Sequence, residues 1–384
     1  MAILSFVLRH SFVIRHSSFV IIFISVIEIR TPDFNLAMTL DSGQVFHWEK
    51  IGGGFVGTIG DRPVYAEQCG SVLKVRDGEA PSLPQARDET RALPGIVVHY
   101  FALDHSLEEI CASFPADPIM NAARDFCRGL RIIRQPKWEC LATFICSSMK
   151  QVAHIRQISL ALRKRFGEPR HIVGRVLYTF PSAERLARAS EKQLRACALG
   201  YRARHLRATA QLVSSGECNL EAWSALSDAE LGKRLCALPG VGAKIANCVM
   251  LFGYERLRAF PIDVWIERVL RRQYFPRRRK IAAQRLREFS ETYFGEHGGY
   301  AQQYLFHHAR TFRGAHASRV LVLASRGNNL FSRLTISRRA EAQEKSVIAR
   351  TQSLPQARDE TRALPRQVIR KLSAPQAWDN VPSF

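Results

Sequence analysis

The residues best placed to do chemistry are a lysine and an aspartate set nineteen positions apart: Lys244 closes the stretch Leu238-Pro239-Gly240-Val241-Gly242-Ala243-Lys244, and Asp263 sits in Phe260-Pro261-Ile262-Asp263-Val264. A free lysine is almost wholly protonated at neutral pH. Its use as a nucleophile therefore needs a setting that disfavours the ammonium, such as a helix N-terminus in a partly dry cleft. A neutral amine there can attack C1′ of an extruded nucleotide, expel the base and form a Schiff base. A held carboxylate can stabilise the positive charge that develops on the sugar and help take the lysine proton. The plainer alternatives are a surface lysine touching phosphate and an aspartate that only caps a helix.

The stretch Leu238, Gly240, Val241 and Gly242 supplies the third part of the chemistry. Two glycines and a proline between helices allow a tight turn whose backbone N–H groups face a phosphate, reinforced by the positive end of the following helix. Such a grip holds DNA without reading its sequence. The carbonyls of Cys236, Leu238 and Val241 could also hold a monovalent cation against that phosphate. An ordinary helix–turn–helix connection would look the same if the turn stood alone.

The elements that must carry these groups are legible from the patterning. Short alternating runs at Gln44–Trp48, Phe55–Ile59, Val64-Tyr65, Val72–Val75 and Val97–Phe101 predict an antiparallel sheet over 33–103. From Ser106 the period becomes helical, with helices expected at 137–146, 151–166, 203–215, 227–236, 243–254, 263–274, 280–294 and 299–311, among others. The fold class expected is α+β, an N-terminal antiparallel β-sheet domain packed on a mainly α-helical body.

With 384 residues and 46% hydrophobic content the chain can bury a large core, and 56 Lys+Arg against 34 Asp+Glu gives a formal charge of +22. That excess favours polyanionic partners. The basic run Arg271, Arg272, Arg277, Arg278, Arg279 and Lys280 could track a DNA backbone, although an arginine run is usually solvated surface. The nine cysteines are odd in number, form no C-x-x-C pair and end at Cys248. They predict reduced, buried thiols of a cytosolic protein and leave no four-cysteine set after Asp263 for an iron–sulfur cluster.

The flanks look different. Residues 1–31 nearly repeat Ser5–His10 as Ser11–His16 and carry an apolar run to Ile27 that is too short to span a bilayer. They are expected to be an apolar extension without function, with a signal or membrane-anchor role as the alternative. The segment Ser82–Pro94 recurs identically as Ser353–Pro365, and each copy is expected to be an inserted loop or tail. The resulting division is 1–31 extension, 32–116 β-rich domain with the 82–94 insert, 117–313 helical catalytic domain, and 314–384 a basic tail expected to be disordered.

Six motifs in order then carry a family resemblance: Thr39–Phe46 with Trp48, Glu139–Ser148, Leu199–Arg204, Leu238–Cys248, Pro261–Val264 and Tyr300–Phe306. From about Asp33 to Phe312 the chain resembles the helix-hairpin-helix glycosylases, and within them the 8-oxoguanine DNA glycosylase/AP lyase family. The resemblance implies Lys244 as nucleophile and Asp263 as its partner. It implies a base pocket in which the Gly43 carbonyl meets the N7–H of 8-oxoguanine, Cys248 and Phe306 sandwich the base, and Gln302 meets its Watson–Crick edge. It implies Tyr201 as a wedge and Arg202 as a contact to the orphaned base.

The chain departs from the best-known eukaryotic pattern at Met149-Lys150-Gln151, where that pattern has three asparagines, at His154, where it has an arginine, and at Trp265, where it has a phosphate-binding histidine. An apolar Met149 can plug the stack but cannot read a base edge, so weaker preference for cytosine opposite the lesion is expected. The expected partner is damaged double-stranded DNA, bound by a cytoplasmic, nucleoid-associated monomer with no membrane partner and no cofactor beyond the cation. A monofunctional alkylated-base glycosylase and a non-catalytic DNA-binding module are the rival readings.

Overall fold

The computed structural model describes residues 6–11, 24–78, 93–148, 150–278 and 280–311. Met149, Arg279, most of the 82–94 segment and the 314–384 tail lie outside the described residues.

The N-terminal part is a sheet of six antiparallel strands in the order β1-β2-β6-β5-β4-β3. Its strands are β1 (Phe6–Ser11), β2 (Ile24–Arg30), β3 (Glu49–Ile51), β4 (Gly54–Ile59), β5 (Arg62–Cys69) and β6 (Val72–Asp77). Tight turns at Gly52, Gly60 and Gly70, all with positive φ, set the hairpin register. Between β2 and β3 lies α1 (Leu36–Asp41), capped by the Asn35 side chain on the N–H of Met38. After β6, α2 (Leu93–Tyr100) covers the sheet, joining a core of Ile29, Leu36, Trp48, Val64, Leu73, Val75, Val97 and Phe101.

Four expectations differ from the structure. Residues 24–30 are not an appendage: β2 pairs with β6 from Val26↔Arg76 to Arg30↔Val72, and Ile29 is fully buried. The sheet therefore begins inside the stretch expected to be an extension, because strand pairing recruits any apolar edge that completes the hydrophobic face. The run Val97–Phe101 is not a strand. Leu93, Val97 and Phe101 recur every fourth residue and are all buried, so helical burial against the sheet overrides their β propensity. That helix also takes Leu93 and Pro94 from the expected insert, a proline being tolerated in a first turn. Gln44–Trp48 is likewise not a strand but an irregular segment whose side chains are buried.

The rest is helical: α3 (Leu107–Ala112), α4 (Pro118–Phe126), α5 (Lys137–Cys146), α6 (Val152–Phe166), a short hairpin of β7 (Pro169–Ile172) and β8 (Arg175–Tyr178), α7 (Ala183–Arg188), α8 (Glu191–Arg195), α9 (Arg202–Ser214), α10 (Asp228–Cys236), α11 (Ala243–Gly253), α12 (Val264–Val269) and α13 (Ala283–Tyr293). A last helix, α14, spans 298–311. These helices share one core through Leu141, Ile145, Leu206, Leu235, Val249, Leu251, Leu270 and Leu305. Among the described residues no helix is long and apolar enough to cross a membrane.

Sheet and helices are tied by buried polar groups. Arg163 of α6 donates to Glu139 of α5 and, at 2.8 Å, to the Thr58 hydroxyl of β4. His47 donates from Nε2 to the Thr58 carbonyl at 2.8 Å. Burial, with the Arg163 charge close by, holds the His47 imidazole well below its ordinary pKa, so it packs as the neutral ring. Buried Arg131 donates to Asp33 at 2.6 Å and to the carbonyls of Ala102 and His105, fastening the chain beside α1 to the first helices of the body.

Candidate active site

Helix α10 ends at Cys236, and the chain turns through Leu238–Gly242 into α11. The turn closes with the Val241 N–H on the Leu238 carbonyl at 3.1 Å, and Leu238 and Val241 are buried beneath it. Gly240 takes φ +79, and a Cβ there would stand 2.7 Å from the Cβ of His205. Only glycine satisfies both demands. The Thr209 hydroxyl on α9 donates to the Pro239 carbonyl at 3.1 Å and holds the turn from behind. The N–H groups of Gly240, Gly242 and the first turn of α11 find no acceptor among the described residues. They stand unpaired at the N-terminal, electropositive end of an 11-residue helix.

Lys244 is the second residue of α11. Its Nζ donates to the hydroxyl of Ser147 at 3.3 Å and lies 5.2 Å from the centroid of the Phe144 ring. Ser147 is the C-cap of α5 and spends its own proton on the Phe144 carbonyl at 2.7 Å, so towards Lys244 it can only accept. One turn along α11, Cys248 is buried; burial pushes its thiol upward while the neighbouring Lys244 pulls the other way.

Asp263 caps α12, accepting the Ile266 N–H at 2.8 Å. Burial raises its carboxyl above the ordinary 3.8, against the opposing pull of the Ile266 N–H and the Lys244 charge. Lys244 and Asp263 therefore share one electrostatic environment, although no direct ion pair joins them among the described residues. The Trp265 and Asp263 backbone N–H groups act on the carboxylate in the same lowering sense as the Ile266 N–H.

The base-pocket residues come from distant segments. Gly43 follows α1 with φ +88, a conformation that favours glycine, and a Cβ there would crowd Phe306 Cε1 and Arg310 Nη1 at 3.2 Å. Gln302 on α14 is 4% exposed, and its Oε1 is buried without a hydrogen bond among the described residues. An orphaned amide acceptor is costly unless a ligand completes it. Cys248 lies in the helical core, and the half-buried Phe306 packs against that core.

The orphan-base set is only partly assembled. Tyr201 is the N-cap of α9 and stands 47% exposed, as a wedge must. His154 is exposed in the first turn of α6. Met149 lies outside the described residues. Arg202 is buried: it donates from Nε to the Ser148 carbonyl at 2.8 Å and from Nη1 to the Leu199 carbonyl at 3.2 Å, and its guanidinium lies 4.4 Å from the Tyr201 ring centroid. Its donors go to carbonyls after α5 and before α9, which it ties together. Ser147, Gln303 and Arg310 were not singled out in the sequence. Their signal was membership in the Glu139–Ser148 motif and in the Tyr300–Phe306 helix and its next turn.

The arginine run after α12 is likewise partly committed: Arg271 pairs with Glu267 at 2.8 Å and donates to the Ile281 carbonyl. Among the described residues no group of three or more His, Cys, Asp or Glu side chains is placed to hold a metal ion.

Residues 26–141 match the family described as 8-oxoguanine DNA glycosylase, N-terminal domain, and residues 142–293 match the HhH-GPD superfamily base excision DNA repair protein. A probable N-glycosylase/DNA lyase of Methanothermobacter thermautotrophicus is 28% identical over 309 residues, covering 74% of this chain and 96% of that protein. The N-glycosylase/DNA lyase of Saccharomyces cerevisiae is 30% identical, with 65% of this chain and 70% of that protein covered. The structure of Clostridium acetobutylicum 8-oxoguanine glycosylase/lyase, bound to double-stranded DNA with cytosine opposite 8-oxoG, superposes with a TM-score of 0.69 at 29% identity, over 75% of this chain and 96% of that one. Motifs, fold and comparisons converge on one placement: the chain belongs to the 8-oxoguanine DNA glycosylase family of the HhH-GPD superfamily.

Proposed function

We infer that this protein is a bifunctional DNA N-glycosylase/AP lyase that excises 8-oxoguanine from duplex DNA and nicks the strand. The observation that carries the reading is Lys244 at the unpaired N-terminal end of α11, with Ser147, Cys248 and Asp263 around it. The hairpin N–H groups hold a phosphate, and Tyr201 enters the duplex as the damaged nucleotide turns out.

The Asp263 carboxylate stabilises positive charge on the sugar as the bond between C1′ and N9 breaks and the base leaves with the electron pair. The Lys244 amine, entering uncharged, forms a bond to C1′; as the C1′–O4′ bond breaks and the ring opens, O4′ takes one amine proton and the other stays on the resulting cationic Schiff base. The cationic imine acidifies C2′; removal of its proton expels the 3′ phosphate and leaves the nick. Gly43, Cys248, Gln302 and Phe306 form the base pocket, the buried Gln302 amide being completed by the base edge.

At the hairpin, the carbonyls of Cys236, Leu238 and Val241 are neutral donors that suit a monovalent cation. The Leu238 carbonyl keeps a second lone pair beside the Val241 N–H it accepts. A cation there would add positive charge behind the phosphate. The orphaned base is met by Tyr201, His154 and Met149, a set poor in base-edge donors, so preference for cytosine opposite the lesion is weak. Replacing Met149 with Asn is expected to sharpen that preference in a duplex panel varying the opposite base; an unchanged preference refutes the plug.

Borohydride trapping tests the main reading. Wild-type protein is expected to form a covalent adduct with 8-oxoguanine duplex, and Lys244→Gln to form none. An adduct of undiminished yield in Lys244→Gln overturns it.

A further inference from the structure

The segment 41–44 holds its carbonyls in an unequal way. The Asp41 carbonyl, at the end of α1, accepts from Arg310 Nη2. The Ser42 carbonyl accepts from Gln303 Nε2 at 2.9 Å, and the Gln44 carbonyl from Gln135 Nε2 at 2.9 Å. The Ser42 hydroxyl and the Gln44 amide are committed as well, to the Thr39 carbonyl, the Arg131 carbonyl and the Ile133 N–H. Among the described residues the Gly43 carbonyl receives no hydrogen bond. Every neighbour is fixed, and the one acceptor left open is the group expected to meet the donor that distinguishes 8-oxoguanine from guanine.

Two of these ties come from α14, the helix that also carries Gln302 and Phe306. Gln303, Phe306 and Arg310 recur at helical spacing on one face. Arg310 is itself shared: its guanidinium lies 5.6 Å from the Phe306 ring centroid while it donates to Asp41, and its Nη1 packs against Gly43. One side chain thus sets the distance between the stacking ring and the reading carbonyl.

We propose that Gln303 and Arg310 are positioning residues for lesion discrimination, clamping the 41–44 segment onto α14 so that the Gly43 carbonyl stands at a fixed place beside Phe306. The inference rests on the reading of 8-oxoguanine as the excised base. A carbonyl that must be aimed within a few tenths of an ångström discriminates only if its segment cannot relax.

The test uses the full-length protein with Arg310→Leu and Gln303→Leu, which keep apolar bulk and remove the donor, and Arg310→Lys, which restores one. Two readouts are compared: the affinity ratio for duplexes carrying 2′-fluoro-8-oxoguanosine and 2′-fluoroguanosine, in which fluorine blocks excision, and the rate of borohydride trapping on abasic duplex. Loss of the clamp is expected to lower the ratio about tenfold, the worth of one well-aimed hydrogen bond. Abasic trapping should stay within about twofold, because Lys244 needs no base, and Arg310→Lys should recover part of the ratio. A wild-type ratio near unity overturns the substrate reading together with this inference. A wild-type preference that survives in both leucine variants, or that falls in step with abasic trapping, overturns the clamp alone.

Discussion

The chemistry of this site turns on where protons reside. Asp263 is buried enough that its carboxyl is raised above 3.8, so folding penalises its ionised form. The sign follows: above that raised value the charge costs stability, and as pH falls through it the cost is relieved. The proposed reaction needs the opposite, an ionised carboxylate beside a cationic sugar. Excision by the wild type is therefore expected to lose activity on the acid side at a pH above the ordinary carboxylate range, measured as single-turnover rate against pH. Asp263→Asn keeps an N-cap acceptor for Ile266 and removes the buried charge. It should melt no lower than wild type at pH 7.5 while excision falls about 10²–10³-fold, the scale for losing one electrostatic stabiliser. A variant that loses stability and keeps its rate would assign Asp263 to capping alone.

At the scale of elements, the hairpin and the α5–α6 pair each rest on one demanding residue. Gly240→Ala must place a Cβ 2.7 Å from His205 Cβ at φ +79. The turn then shifts, the N–H groups lose their common aim, and affinity for abasic duplex should fall about tenfold or more with a modest drop in melting temperature. Fluorescence anisotropy on duplex DNA checks it. Glu139 is the acid that balances Arg163, both nearly excluded from water. Glu139→Ala leaves a buried guanidinium unpaired and is expected to cost about 3–5 kcal/mol in urea denaturation. Glu139→Gln, which keeps the acceptor, should cost less.

Over the whole molecule, histidines held neutral set the response to acid. Burial first, and neighbouring arginines second, lower His47 well below 6.5, and bring His105 and His307 to about 4. A histidine depressed on folding contributes stability that is full above its unfolded value and drains away as pH falls towards its folded one. The urea midpoint should therefore decline from about pH 6.5 to 4, and His105→Asn should flatten the decline. Raised carboxylates at Glu139 and Asp263 act in the opposite sense and soften the slope. The sheet makes a further prediction. A chain beginning at Pro32 lacks β2 and exposes the β6 edge and Leu73, so it should express poorly or melt markedly lower than one that retains residues 24–31.

Local pattern and chemical type made the fold class, the helices from 106 onward, the turn between α10 and α11 and the Asp263 cap legible from the chain alone, because helix periodicity, glycine turns and caps are written in neighbouring residues. What neighbouring residues do not record is which surface each element will meet. Val97–Phe101 has the composition of a strand and became a helix because the sheet offered it a face to bury. Arg202 is a polar residue type that is usually exposed, yet it is buried here because the carbonyls of Ser148 and Leu199 lie within its reach. The acceptor for Lys244, the clamp on Gly43 and the place of β2 in the sheet join segments far apart in sequence, with 97 residues separating Ser147 from Lys244 and 261 separating Ser42 from Gln303. Such pairings are decided only when the chain closes on itself and every buried polar group must find a partner.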